Sequence, residues 1–137
     1  MTVGLLVSIC ALVISLAAGL FAPLINLWRD EKQARKIYLQ RTATAFFSAY
    51  SELNPNHDPI QSSEECAKLM ACGFSLQSAL QCQADRDAVA SCVSNACNEI
   101  VACEISFKTG EALKQDWGNM KVRAMHQVIE LVNKQLK

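Results

Sequence analysis

Seven cysteines stand among the 137 residues of this chain, six of them between Cys66 and Cys103. Thiols can ligate metal, exchange electrons, form bridges, or simply fill semi-buried space as small apolar groups. A zinc site or a thioredoxin-like redox centre needs closely spaced CxxC pairs. None occurs here, and His57 and His126 are remote from the thiols in sequence. His57 precedes Asp58 as a base precedes its orienter, but Pro55 and Pro59 flank the pair, which marks it as a turn. Glu64 and Glu65 fit the start of a helix, where the dipole favours acid, better than an acid–base pair. His126 sits at the edge of an apolar stripe as a half-buried helix residue. The glycines, at 4, 19, 73, 110 and 118, form no phosphate loop, and neither GxSxG nor HExxH is present. No catalytic, metal or cofactor residue is assigned, and no enzyme activity is expected.

The gaps Cys72–Cys82 and Cys82–Cys92 each hold nine residues, and Cys92–Cys103 holds ten. Over about 32 residues this spacing resembles the twin CX9C family, the oxidised helical hairpins of the mitochondrial intermembrane space, which include respiratory-chain assembly factors and accessory subunits. The resemblance implies nested bridges Cys72–Cys103 and Cys82–Cys92 and a structural role in a respiratory membrane complex. A second expectation comes from helix geometry. At ~100° per residue, Leu69, Gly73, Leu76 and Leu80 share one face within about 40°, with Cys72 roughly 60° aside and Cys82 about 140° away. Val89 likewise leaves Cys92 and Cys103 some 40–60° off its own stripe. The thiols then stand in place of alanine in a reduced protein, and this is the leading expectation.

The elements that must position these residues begin with "MTVGLLVSICALVISLAAGLFAPLINLW", which carries no charge before Arg29. Twenty or more apolar residues match a hydrocarbon core of ~30 Å, and Trp28 is a typical interfacial residue. A cleaved signal would bring a basic start and a shorter apolar core. Residues 1–28 are therefore expected to form a permanent transmembrane anchor. Arg29, Lys32, Arg35, Lys36 and Arg41 follow it, so the amino terminus is expected outside and the body cytoplasmic, at an inner membrane. The bridged alternative would place the body in the mitochondrial intermembrane space. Ala11, Ser15 and Gly19 make two small-xxx-small steps, and Gly4 and Ser8 another, a pattern that lets membrane helices approach closely.

Residues 29–137 show helical periodicity throughout, interrupted by a loop at 54–59. Leu39, Ala43, Phe46, Tyr50 and Leu53 mark one stripe. A second helix is expected to open at "SSEEC", with Ser62 as N-cap and Glu65 closing a capping box. "QADRD" reads as a break. A third helix follows with Val89, Val93, Ala96, Ile100 and Phe107 on one stripe, ending at Gly110. The last runs from Glu111 through Leu113, Trp117, Met120, Ala124, Val128 and Leu131. The fold class is all-α: one transmembrane helix, then an antiparallel four-helix bundle.

Thirteen basic and thirteen acidic residues cancel, so no basic field invites nucleic acid. The expected function is that of a membrane-anchored interaction or regulatory module. Its partners would be membrane lipid and either another protein or a second copy, met through the span and the bundle. Besides the stapled accessory subunit, a small oligomerising membrane effector is the remaining alternative.

Overall fold

The computed structural model of the chain describes residues 2–55, 57–106 and 112–137. The described residues are almost entirely helical: α1 spans Thr2–Glu52, α2 Pro59–Ala79, α3 Gln83–Ser106 and α4 Ala112–Leu136. The chain divides into two units, Met1–Lys36 and Ile37–Lys137.

In the first unit, α1 is long and apolar enough to cross a membrane, and no residue of its apolar window is buried within the protein. Every large apolar side chain from Val3 to Trp28 is more than half exposed. Pro23 lies inside this helix. Its missing N–H leaves the Gly19 carbonyl without the usual donor one turn on.

The second unit is organised by apolar stripes. Leu39, Ala43, Phe46 and Tyr50 on α1 and Leu53 just after it are all buried, as their three- and four-residue steps require. Thr42 is buried among them, and its hydroxyl donates to the Tyr38 and Leu39 carbonyls, each at 3.0 Å. On α2, Leu69, Gly73 and Leu76 turn inward, followed by Leu80 just beyond its end, and on α3 Val89, Val93, Ala96 and Ile100. On α4, Trp117, Val128 and Val132 are buried, with Met120, Ala124 and Leu131 half-buried. Each fully buried large apolar side chain contributes about 1.5–3 kcal/mol relative to its exposed state. Phe107 and Gly110 lie outside the described residues, as does the Leu113 side chain.

At Gly73, α2 and α3 approach tightly: a Cβ there would stand 2.6 Å from Val93 Cγ2 and 3.7 Å from Phe46 Cε2. Polar contacts mark how the helices line up. Lys68 Nζ bonds Glu52 Oε2 at 2.6 Å, and the Tyr38 and Ser78 hydroxyls meet at 3.3 Å. Gln135 Nε2 donates to Asp85 Oδ2 at 2.7 Å, and Lys121 Nζ to the Ser51 and Leu53 carbonyls at 2.7 and 3.1 Å.

Two expected helix starts are corrected. The N-cap of α2 is Asp58, whose side chain accepts from the Gln61 N–H at 2.9 Å, with Pro59 opening the helix. Proline is at home there because that position needs no intrahelical N–H bond. Ser62, expected as the cap, lies one turn inside the helix and is 1% exposed. "QADRD" is likewise no break but the first turn of α3. The connection between α2 and α3 is Leu80–Cys82, held by the Arg86 Nε bond to the Leu80 carbonyl at 2.7 Å.

The two cap assignments differ in the sign of a stability change. Asp58→Ala should cost about 1 kcal/mol. Ser62→Ala should be neutral or stabilise by up to about 1 kcal/mol, because the buried Ser62 Oγ has no hydrogen-bond partner among the described residues. Urea denaturation checks both, and a loss of about 1 kcal/mol in Ser62→Ala would restore the original assignment.

Candidate functional site

The first candidate surface lies on α1. Ala11, Ser15 and Gly19 are all exposed, and each lies about 40° further round the helix than the last. A Cβ built on Gly19 meets nothing within 4 Å. The groove beside these residues is thus open to another helix. At the end of the apolar segment Lys32 Nζ sits over the Trp28 ring, 5.1 Å from its centroid, and Arg35 pairs with Glu31. A cation over an indole face gains about 0.5–1 kcal/mol at an exposed site.

The second candidate is the outer face of α2 and α3. From Leu69 to Ala84 no residue is charged, and from Ala88 to Ala102 only Glu99 is. Phe74 is 74% exposed, Met70 53% and Val101 51%. Ala67, Ala71, Ala90 and Ser94 on the same two helices are also exposed. A solvated helix surface normally carries charge, whereas the centre of a protein interface is depleted in it.

The thiols divide by burial. Cys10 and Cys82 are exposed, Cys66 and Cys72 half-buried, and Cys92 and Cys97 buried. Cys82 and Cys92, one of the two pairs the spacing suggested, carry free thiols. The other pair includes Cys103, whose side chain lies outside the described residues. Cys92 belongs to the core although its register put it off the apolar centre, because a stripe wide enough to face two neighbours takes in flanking positions. Its thiol and the Tyr50 phenol are close enough to shift each other's titration. Burial, with Cys92 and then Cys97 nearby, pushes the Tyr50 phenol far above its ordinary range. Burial also raises the Cys92 thiol, against the opposing effect of Tyr50. Such a thiol is a packing group, protonated and unreactive at neutral pH.

A polar cluster that the sequence did not signal closes the end of α1. His57 Nδ1 meets Glu65 Oε1 at 2.6 Å, and the Glu65 side chain is only 11% exposed. The Lys121 ammonium, reaching the α1 carbonyls, is held below its usual range by burial, with Glu65 acting in the opposite direction. Those carbonyls lie in the last turn of α1 and just past its end, where no intrahelical donor reaches them, so the ammonium caps the helix. His57 therefore does more than form a turn. It bonds Glu65, while Asp58, read with it as part of a turn, caps α2. His126 is exposed, its side chain 71% so, with Glu130 at 3.6 Å. No group of three metal-ligating side chains occurs among the described residues.

The buried thiol and phenol make stability depend on pH. Both hold their protons to higher pH in the folded than in the unfolded chain. Their contribution is therefore complete below the ordinary thiol pKa of about 8.5 and is lost as pH rises through it toward the raised folded values. The urea midpoint of the native chain should fall between about pH 8 and 10.5, and less steeply in Cys92→Ala, which keeps any opposing change from Lys121. A maleimide should modify Cys82 in the folded protein, and Cys92 and Cys97 only on unfolding. Rapid native-state modification of Cys92 would contradict its place in the core.

No protein-family model, no curated protein and no solved structure matches this chain.

Proposed function

We propose that the chain is a single-pass membrane protein whose helical body acts as an interaction module, without catalysis of its own. The observation that carries this reading is the exposure of every large apolar side chain from Val3 to Trp28 on one long helix. Residues 1–28 form the anchor, and residues 29–137 supply the body as an antiparallel four-helix bundle. That topology is supported by contacts that pair Glu52 and Tyr38 of α1 with Lys68 and Ser78 of α2 in reversed order, and the end of α4 with the start of α3, through Gln135 and Asp85. The basic residues from Arg29 to Arg41 favour an amino terminus outside and a cytoplasmic body at an inner membrane.

The mechanism is positional. The span holds the body at the membrane and associates with another span through Ala11, Ser15 and Gly19. The uncharged outer face of α2 and α3 receives a protein partner through Phe74, Met70 and Val101. Truncating an exposed apolar anchor of this kind typically weakens a complex by about 1–2 kcal/mol or more where it sits at the centre of the contact.

Two labelling experiments in intact cells test the reading. A membrane-impermeant maleimide-PEG should fail to reach Cys82, whereas a permeant maleimide modifies it without prior reduction. Thiols that appear in pairs only after reduction would instead support the stapled accessory subunit. Crosslinking in membranes should trap a span-mediated complex that Ser15→Leu or Gly19→Leu abolishes, and an unchanged crosslinking pattern would remove the packing face from the account.

A further inference from the structure

The segment that follows Trp28 is cationic on one side. At about 100° per residue, Trp28, Arg29, Lys32, Arg35 and Lys36 fall within an arc of about 120°. Asp30 lies roughly 100° beyond one edge of that arc and Glu31 about 40° beyond the other. Glu31 is bonded to Arg35, so each takes up the other's charge. Among the described residues Arg29, Lys32 and Lys36 have no carboxylate partner. Lys32 is oriented over the indole of Trp28, itself 64% exposed. Three unneutralised cations thus share a helix face with an indole N–H donor, directly below an apolar segment. A charge pattern serving topology alone needs only a sum of basic residues and would leave their angular placement free.

We propose that this face is a binding site for the headgroup of an anionic phospholipid. Lys32, Arg29 and Lys36 bind the phosphate and the headgroup's net charge, and Trp28 packs along the glycerol region and upper acyl chain. The site rests on the membrane-anchor reading and deepens it: the anchor selects its lipid neighbours rather than merely sitting among them. Long lysine and arginine side chains suit this position, since their aliphatic stems lie along apolar surface while the charged ends reach the headgroup layer. Each cation near an anionic surface is worth on the order of fivefold in binding.

The test uses the full chain carrying Trp117→Phe, which leaves Trp28 as its one tryptophan. It is reconstituted in vesicles of phosphatidylcholine and phosphatidylglycerol in fixed ratio, with bromine on the acyl chains of one lipid or the other. Trp28 quenching should show a preference for phosphatidylglycerol of about fivefold or more over its bulk share. The preference should collapse in molar salt and in R29Q/K32Q/K36Q, while quenching by brominated phosphatidylcholine persists in that variant. Millimolar inorganic phosphate should leave the preference intact, and its loss under phosphate would overturn the lipid assignment. Quenching that follows bulk composition in the native chain would overturn the headgroup site while leaving the anchor standing. Absence of quenching by either lipid would overturn the anchor and the site with it.

Discussion

The constraint on which everything else depends is the need to remove the first part of α1 from water. Fifteen large apolar side chains between Val3 and Trp28 are exposed on that helix. At about 1.5 kcal/mol or more for each such side chain, leaving them in water would cost more than ~20 kcal/mol. The net stability of a domain is only about 5–15 kcal/mol. The body covers none of these side chains among the described residues, so a gain larger than that net stability awaits whatever medium covers them. A bilayer covers all sides of a helix at once, whereas a protein partner large enough to do so would have to wrap it. Lipid is therefore the covering medium we propose, and the basic residues after Trp28 then acquire their meaning as topology and headgroup contacts.

The body answers a different demand. Its helices bury one stripe each, and the closeness of α2 to α3 is set by the missing Cβ at Gly73 against Val93. Cys92 and Cys97 fill the core near Tyr50 as small groups. Half-buried charge gathers at the end of α1, where Lys121 caps the helix and His57 bonds Glu65, with the exposed Lys68–Glu52 pair nearby in sequence. The outer face of α2 and α3 is left almost bare of charge. That division of labour suits a body that holds its shape by packing and offers one face to a partner.

The buried stripes were legible in the sequence because helical periodicity is a local property, and Leu39, Phe46, Leu69, Val89 and Val128 lie where their spacing puts them. The helix starts were misread for a physical reason as well. Asp58-Pro59 and Ser62-Glu65 both carry capping signals, and the proline, taken as a breaker, is in fact well placed at a first helical position. In "QADRD" the polar residues suggested a turn, although Asp85 in a first turn is favoured by the helix dipole. Lys121 as a cap for α1 was beyond local pattern altogether, since its acceptors lie 68 and 70 residues away. Cysteine spacing was ambiguous in itself: it resembles an oxidised hairpin, yet the same register serves a reduced core that takes in Cys92 from the edge of its stripe.

The central claim is that α1 resides in lipid, and alkaline carbonate extraction of membranes from cells making the full chain tests it directly. The account expects the chain to remain in the membrane pellet, and to be released by detergent or when arginines replace Leu12 and Leu16. Release of the native chain by carbonate alone, as a folded helical protein, would contradict it.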